Sequence, residues 1–557
     1  MDINLLPLEL LQHIMSYLDY HTLKMASIVC HRWNKASELF IVRKGNLCIT
    51  EATAHHLNDL QNCVREYQTI RIHRMDEWST LQAVVTIFTQ RFPRVRKLHL
   101  SGCLQDYLYR FYNTFRSWME QCELIKVSID DRFADHLLCG PEDFELSLPN
   151  LKHLVWHECL YGYGQKTVTI NAPNMECVYI DDSLDASCVV RIPTSDRLKF
   201  VRCMFYTKHF DDTFIGSMPN VETLIMTIVY GNCDVGYLQS MHQLRYLSLS
   251  FGSAKTSLRN VEAMHDCDQL KVLSITIQDS NSEKGLLRLD KIFNNFIILE
   301  TLELRTVEVH ATGSVPAKHL EFLKLRDVTC STSSMSVSAP QLKTLSVCWK
   351  TLRILELHEC DHLKELFLDL ESSGLKQSIE HIANFFVLNH KNLSKLVLFR
   401  SYQETAIEDD AWYASNDFGL ENLELYNIDI SINFFRMLSE WKSLKSIAIV
   451  RCTINCGAIN GNDGAPATTN TVPLPNVARM KLDNVKLRGT TTRSIFPLQF
   501  GKVCEIDYTS NSSDLFYNTK HQFCNHDQRF SPFTNDRINY DYTFNPFTQD
   551  IIDPLSF

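Results

Sequence analysis

A six-residue pattern of apolar and variable positions recurs along most of this 557-residue chain. It reads apolar, two variable residues, apolar, one variable residue, apolar, as in residues 95–100 (VRKLHL). The alternation at its end is typical of a strand that buries one face. From Leu151 to Leu270 the copies follow one another at steps of 24, 23, 23, 23 and 26 residues. The pattern therefore predicts a series of strands, one in each repeating unit.

The copies extend over most of the chain. They begin at Val95, Leu124, Leu151, Met175, Leu198, Val221, Leu244, Leu270, Leu299, Leu320, Leu342, Leu363, Leu393, Leu420, Leu444 and Val477. Weaker copies begin at Tyr67 and Val503. The spacing resembles that of leucine-rich repeats, whose units are 20–29 residues long. We therefore expect an α/β fold in which about 17 or 18 irregular repeats, residues 45–510, form a curved solenoid with a parallel sheet on its concave face.

The segments between the copies predict what packs behind the sheet. Residues 78–92 and 104–122 have the length and the apolar spacing of helices. An extra copy at residues 352–357 follows Leu342 by only ten residues, which is too short for a whole repeat. It predicts a short strand on the convex side, like residues 168–170 and 336–338. The aromatic-rich tail, residues 511–557, predicts either a C-terminal cap or a partly disordered segment.

The first forty residues carry more apolar surface than one core requires. If residues 6–18 (LPLELLQHIMSYL) form a helix, apolar side chains fill about half of its circumference, whereas a helix on one core needs a stripe about 100° wide. A second helical segment contains Leu23 and Val29, and Trp33 follows. Such short helices cannot bury enough surface alone. The pattern therefore predicts a contact with the rest of the chain or with a second protein.

The same residues resemble the F-box pattern. The matching positions are Leu6-Pro7, Glu9, Leu10, Ile14, Leu18-Asp19, Leu23 and Val29-Cys30-His31-Arg32-Trp33. The resemblance implies a three-helix F-box at residues 1–44 that binds the Skp-family adaptor of a cullin–RING ubiquitin ligase. By position, the residues that form or support the adaptor contact are Leu6, Pro7, Leu10, Ile14, Leu18, Leu23, Val29 and Trp33. The alternative is a helical cap that only shields the first repeat.

Composition and charge exclude several other classes. Hydrophobic residues make up 45% of the chain and charged residues 22%, which is ordinary for a globular protein with a large core. The formal net charge of −10 argues against a nucleic-acid binder. We expect no signal peptide and no membrane span, because there is no basic leader and no apolar run of about 18 residues. The 19 cysteines lack paired spacing and favour reduced thiols in an intracellular, cytoplasmic or nuclear, protein.

No motif indicates catalysis, a cofactor or a metal. The chain has no phosphate loop, nucleophile elbow, metalloprotease helix or dinucleotide fingerprint, so we expect no enzyme activity. His521, Cys524 and His526 lack a fourth ligand and the usual spacing of a zinc site. Cys103 and Cys452 each follow a predicted strand, as does Cys159. All three are therefore expected to bond to the backbone of the turn.

The concave face is the expected binding surface. In each copy the variable residue between the last two apolar positions points to this face, and aromatic side chains and arginine dominate recognition surfaces. The best candidates for binding a target are Tyr179, Phe200, Arg202, Tyr246, Phe322 and Phe367. The alternative is that these aromatic residues only stack on one another across strands. The concave positions show no arginine cluster that would indicate a phosphorylated target.

Together, the F-box resemblance and the repeats imply a substrate-recognition subunit of a Skp–cullin–F-box ubiquitin ligase. In this interpretation the F-box binds the adaptor, the solenoid binds a target protein, and other subunits supply the catalysis. One alternative is a non-degradative scaffold that uses the F-box only for assembly with the adaptor. A second alternative is a repeat-protein inhibitor without an adaptor contact.

Overall fold

The computed structural model describes most of the chain up to residue 508. The described residues are 6–44, 46–54, 67–73, 75, 78–91, 94–102, 105–130, 143–159, 166–182, 188–192, 195–205, 218–228, 238, 241–252, 258–264, 267–278, 286–370, 392–400, 419–455, 472–488, 498–500 and 505–508. The chain divides into two compact units. The first is Met1–Leu270 with Ile277–Glu283, and the second is Lys271–Thr276 with Lys284–Phe557.

The first unit begins with three helices, α1 (Leu8–Ser16), α2 (Tyr20–Ser27) and α3 (His31–Lys44). Helix α1 starts directly after Pro7, where the missing N–H of proline costs nothing. Asp19 caps α2, since its Oδ1 accepts a hydrogen bond from the N–H of Thr22 at 2.8 Å. This bond lowers the pKa of the Asp19 carboxyl group. Pro7 and Asp19 therefore mark the points where α1 and α2 begin.

The three helices share a small apolar core. Its buried residues are Leu11, Met15, Leu23, Ala26, Ala36 and Ile41, and the partly buried Leu8, Leu18, Trp33 and Phe40 pack against them. The guanidinium of Arg32 donates to the carbonyl of Leu6 and ties α3 to the start of α1. A helical subdomain therefore precedes the repeats, as expected.

The strands of the first unit are β1 (Asn46–Thr50), β2 (Thr69–His73), β3 (Lys97–Ser101), β4 (Leu124–Asp130), β5 (Asp143–Ser147), β6 (His153–Cys159), β7 (Lys166–Asn171), β8 (Cys177–Asp182), β9 (Cys188–Arg191), β10 (Phe200–Phe205), β11 (Thr223–Ile228) and β12 (Tyr246–Phe251). The main sheet is parallel in the order β1-β2-β3-β4-β6-β8-β10-β11-β12. Strands β5, β7 and β9 form a separate parallel sheet. Helices α4 (Glu51–Ala54), α5 (Trp78–Arg91), α6 (Gln105–Met119) and α7 (Arg259–Glu262) lie between strands.

The strands of the second unit are β13 (Val272–Ile277), β14 (Leu286–Arg288), β15 (Thr301–Arg305), β16 (Glu308–His310), β17 (Ser314–Pro316), β18 (Phe322–Arg326), β19 (Thr329–Cys330), β20 (Met335–Ser338), β21 (Thr344–Cys348), β22 (Leu355–His358), β23 (Glu365–Asp369), β24 (Lys395–Phe399), β25 (Asn422–Tyr426), β26 (Asp429–Ser431), β27 (Ser446–Val450), β28 (Thr453–Asn455), β29 (Val472–Leu474), β30 (Arg479–Asp483), β31 (Lys486–Arg488), β32 (Leu498–Phe500) and β33 (Glu505–Tyr508). Its main sheet is parallel in the order β13-β15-β18-β21-β23-β24-β25-β27-β30-β33. Its described residues form the helices α8 (Leu289–Asn295), α9 (Trp349–Leu352) and α10 (Ile432–Leu438).

Smaller parallel sheets accompany the main sheet of the second unit. They have the orders β14-β16-β19, β17-β20-β22, β26-β28-β31 and β29-β32. The extra copy at residues 352–357 overlaps β22, which pairs with β20 outside the main sheet. This confirms the predicted short strand and places it in a sheet separate from the main strands. Helices α5 and α6 likewise confirm the predicted helices at 78–92 and 104–122.

Burial alternates along the main strands as the pattern predicts. In β11, Leu224, Met226 and Ile228 are buried, while Thr223 and Thr227 are partly exposed. We call the partly exposed side of each main sheet the variable face, since it carries the variable positions of the pattern. This is the face predicted to bind a target.

A recurrent backbone conformation ends several strands of the second unit. Thr306, Asn427 and Arg451 each follow a strand directly, with φ of 56°, 54° and 54°. Their N–H groups donate to carbonyls in or after the next main strand, for example from Thr306 to Arg326 at 2.8 Å. The left-handed conformation thus turns the chain while it keeps neighbouring strands in register.

The predicted domain limits at residues 44 and 510 stay predictions, and the tail 511–557 lies outside the described residues. Cys452 bonds as expected, because its Sγ donates to the carbonyls of Leu425 and Val450 at 3.4 and 3.3 Å. The residues of the predicted Cys103 bond, and the side chain of Cys159, lie outside what the structure describes. Among the described helices, none combines the length and the apolar character that a membrane crossing requires.

Candidate protein-binding surfaces

The first candidate surface lies on the N-terminal helices. Of the eight large apolar side chains that are exposed among the described residues, six lie between residues 10 and 29. Their exposed fractions are 50% for Leu10, 39% for Ile14, 76% for Tyr17, 53% for Met25, 72% for Ile28 and 62% for Val29. We call these six residues the helical apolar patch. Apolar groups concentrated in this way mark an interaction surface more often than singly scattered ones do.

The residues predicted from the F-box pattern divide into two groups. Pro7, Leu10, Ile14 and Val29 are exposed, whereas Leu6, Leu18 and Trp33 are partly buried and Leu23 is fully buried. Leu23 therefore supports the helices from inside and cannot itself touch a partner. The pattern missed Tyr17, Met25 and Ile28, although the half-apolar circumference of the first helix had included Tyr17.

The variable face of the first unit brings Tyr179 and Arg202 into contact. The two residues are aligned on β8 and β10, and the guanidinium carbon of Arg202 lies 5.0 Å from the centre of the Tyr179 ring. The ring of His157 lies 4.9 Å away on the other side, and its Nδ1 is 3.5 Å from the carboxylate of Asp181. The stacked tyrosine and arginine offer a rigid, amphipathic contact area for a protein.

Phe200 and Tyr246 lie on the same face but are not aligned with each other on neighbouring strands. In register, Phe200 is aligned with Thr223, and Thr223 is aligned with Tyr246. A whole strand therefore separates the two aromatic residues. Both are partly exposed, so they add to the variable face as separate positions.

The variable face of the second unit contains a groove with a volume of about 350 Å³. Phe322 and Phe367, both predicted as target-binding residues, line it together with Phe399 and Tyr426. The ammonium of Lys395 lies 5.5 Å from the centre of the Phe367 ring. We call this feature the aromatic groove. Its size is within the range that holds a small molecule or a few side chains of a peptide.

Ion pairs fix the polar side chains of the aromatic groove. Lys395 Nζ is 2.9 Å from Glu424 Oε1, and the hydroxyl of Tyr426 donates to Glu424 Oε2 at 2.8 Å. Lys324 Nζ is 2.5 Å from Glu303 Oε1. Asp369 is buried, with the guanidinium of Arg326 at 4.0 Å. The aromatic walls and the balanced charges suit an amphipathic protein segment.

Sequence reasoning missed a group of cations on the first unit. No arginine cluster was expected at the concave positions, and the first strong copy, which begins at Val95, has His99 at its variable position. The structure places Arg71 of β2 and Lys126 of β4 at positions aligned with His99 of β3. The weak copy that begins at Tyr67 contained the missing signal, since its variable position is Arg71.

Metal binding and thiol reactivity depend on the arrangement of His, Cys, Asp and Glu side chains. No group of three such side chains among the described residues is arranged to hold a metal ion. His521, Cys524 and His526 lie outside the described residues. Burial raises the pKa of the Cys122 thiol to about 12 and that of Cys452 to about 11, so neither is a reactive thiolate at neutral pH.

The chain thus combines a small helical subdomain with repeats that have the strands and turns of a leucine-rich-repeat fold. Residues 3–40 match the family model for F-box-like domains, so the helical subdomain is an F-box-like domain. No curated protein matches the chain. A solved leucine-rich-repeat protein from Leptospira interrogans matches at 12% identity over 78% of this chain and 93% of that chain, with a TM-score of 0.31. At this similarity the assignment of the fold depends on the strands of this chain alone.

Proposed function

We propose that this protein is the substrate-recognition subunit of a Skp–cullin–F-box ubiquitin ligase. The F-box-like domain binds a Skp-family adaptor, and the variable faces of the repeats bind the target protein. The observation that carries the proposal is the helical apolar patch, because six of the eight exposed large apolar side chains among the described residues lie within this one domain.

A partner protein accounts for this patch better than a capping role does. A cap would turn its apolar side chains toward the first repeat and bury them. Instead, Tyr17, Ile28 and Val29 are all more than 60% exposed, while a separate set of residues fills the core of the domain. Covering exposed apolar area stabilises a complex by about 25 cal/mol per Å². The patch therefore favours a second protein on these helices.

The proposed mechanism is proximity. The adaptor holds the F-box while the repeats hold the target, and this arrangement raises the effective concentration of the ubiquitin donor near the lysines of the target. In this proposal the chain itself contributes no catalytic group, and the chemistry belongs to the other subunits.

Matched substitutions test the adaptor contact. Ile14→Glu and Leu10→Glu place a charge within the helical apolar patch. Ile297→Glu and Leu286→Glu make the same changes at residues that are 60% and 48% exposed and lie outside the F-box-like domain. We expect the intact chain and both control variants to bind a purified Skp-family adaptor, and each patch variant to lose at least about tenfold in affinity, because a buried unpaired charge is costly.

Two outcomes would contradict the proposal. One is a correctly folded intact chain that does not bind the adaptor. The other is an equal loss of binding for the patch variants and their controls. If the adaptor binds but no protein changes in abundance when the chain is removed, the alternative of a non-degradative scaffold takes its place.

A further inference from the structure

Three cationic or ionisable side chains lie in a row across the first strands of the variable face. Arg71, His99 and Lys126 occupy the central positions of β2, β3 and β4, and the register aligns Arg71 with His99 and His99 with Lys126. Neighbouring strands are about 4.8 Å apart, so the row spans about 10 Å. Lys97 and His73 lie on the same face, two residues from the row. We call Arg71, His99 and Lys126 the cationic row.

The charges of this row are not balanced as they are elsewhere on the variable faces. In the second unit, Lys324 and Lys395 each pair with a glutamate, at 2.5 and 2.9 Å. Within the described part of the chain, neither Arg71 nor Lys126 forms an ion pair. The Nε of Arg71 is buried, and no described residue forms a hydrogen bond with it. Arg71 and Lys126 thus place two uncompensated cations about 10 Å apart on either side of His99, and such an arrangement points to an anionic ligand that compensates them.

The pKa of His99 indicates the same excess of positive charge. Burial lowers its pKa most, and together with the positive charges of Arg71, Lys126, Lys97 and His73 it brings the pKa of His99 to about 4. These groups from β2, β3 and β4 are the charges that act most strongly on it, and all of them disfavour protonation. His99 is therefore a neutral imidazole at pH 7, and its single N–H can donate one hydrogen bond to a ligand that lies between the two cations.

We propose that the cationic row binds the phosphate group of a phosphorylated segment in a target protein. This inference rests on the proposed function only in that the ligand belongs to a protein target. A phosphate dianion offers three acceptor oxygens, which the guanidinium, the imidazole N–H and the ammonium of the row can contact together.

A single phosphate fits the row better than a nucleic-acid backbone does. The row is only three strands wide, whereas a polyanion needs an extended basic surface. The chain as a whole has a net charge of −10, and Asp181 lies on the same face of β8 further along the sheet. An extended polyanion would be repelled by these charges, while a single phosphate would not reach them.

The effect of binding on His99 provides a direct measurement. A bound dianion favours the imidazolium form, so binding must raise the His99 pKa from about 4. In the full chain, NMR titration of the His99 ring, assigned with His99→Gln, should show this rise with inorganic phosphate. Sodium chloride at equal ionic strength should have a much smaller effect. Arg71→Gln should raise the His99 pKa even without phosphate, because it removes a neighbouring cation.

The binding variants separate this site from the rest of the molecule. Arg71→Gln and Lys126→Gln should each weaken the binding of a phosphoserine peptide at least about tenfold. The matched control Arg245→Gln removes an exposed arginine of the same unit that lies outside the row and outside the candidate binding surfaces, and it should bind the peptide as the intact chain does. All three variants should keep their affinity for the Skp-family adaptor. A wrong assignment of the phosphate site would therefore change only the peptide result, whereas a wrong ligase proposal would appear as a lack of adaptor binding by the intact chain.

Three results would overturn the inference. The first is an equal effect of phosphate and chloride on the His99 pKa. The second is an equal affinity for the phosphoserine peptide and its unphosphorylated form. The third is a single-stranded oligonucleotide that binds through Arg71 and Lys126 more tightly than the phosphopeptide, which would make the ligand a nucleic acid.

Discussion

At the scale of single residues, asparagines just before the strands hold neighbouring repeats together. The side-chain amide of Asn150 donates to the carbonyl of Glu120, and that of Asn174 donates to the carbonyl of Pro149, both at 2.8 Å. Asn220 repeats the contact with the carbonyl of Asp196 at 2.8 Å. Each acceptor lies in the preceding repeat, so these bonds connect successive units at the point where the chain enters the sheet. This role belongs to a polar position that the apolar pattern treats as variable.

Replacement of one such asparagine should lower the stability of the first unit. Asn174→Asp keeps the shape of the side chain but turns the donor into a carboxylate oxygen that faces the carbonyl of Pro149. We expect the free energy of unfolding to fall by about 1 kcal/mol, the usual contribution of one hydrogen bond. Urea denaturation of the full chain measures the change. Asn113→Asp on the exposed side of α6 is the control, and an equal effect of both substitutions would show that the interrepeat bond contributes nothing.

At the scale of secondary-structure elements, the apolar pattern predicts the main strands well because each strand has one buried and one variable face. It also predicts α5, α6 and the short strand β22. The pattern could not reveal that Leu23 is a core residue while Val29 is exposed, since both fit the same F-box positions. Nor could it reveal the whole cationic row, because the copy that begins at Leu124 has Ser128 at its variable position, whereas the register of the sheet places Lys126 beside His99.

The helical subdomain separates contact residues from core residues, and substitutions can distinguish the two. Leu23→Ala removes a fully buried side chain, so we expect a loss of about 2–5 kcal/mol in the stability of the helices. Leu10→Glu changes a half-exposed residue of the helical apolar patch and should leave that stability nearly unchanged. Amide hydrogen exchange over residues 8–44 measures local stability, and titration with the adaptor measures binding.

We expect Leu10→Glu to lose adaptor binding while its amides keep their normal protection against hydrogen exchange. Leu23→Ala should instead lose the protection of the amides in the three helices. The distinction would fail if Leu10→Glu also exposed the amides of α1 to exchange. In that case Leu10 would belong to the core of the domain, and the helical apolar patch would be smaller than the structure indicates.

At the scale of the whole molecule, the proposed activity requires two binding functions that are independent in chemistry. The F-box-like domain offers exposed apolar side chains, which suit a single constant partner. The variable faces offer aromatic residues among fixed ion pairs and, on β2–β4, an unbalanced row of cations, which suits selective recognition. Because these features lie on different strands and helices, substitutions should remove either function and leave the other intact.

Two variants should therefore separate the binding of targets from the binding of the adaptor. Targets are the proteins that co-purify with the intact chain and rise in abundance when it is removed. The Ile14→Glu variant should still bind these proteins but no longer reduce their abundance, because it has lost the adaptor. Phe367→Ala, which opens one wall of the aromatic groove, should keep adaptor binding but lose the targets that use this groove.

Quantitative proteomics of cells that carry each variant in place of the intact chain measures both effects, with Ile297→Glu as the control that should behave as the intact chain. If Phe367→Ala, with an unchanged unfolding midpoint, retained every target, the aromatic groove would not be a target-binding site, and recognition would have to depend on other parts of the variable faces.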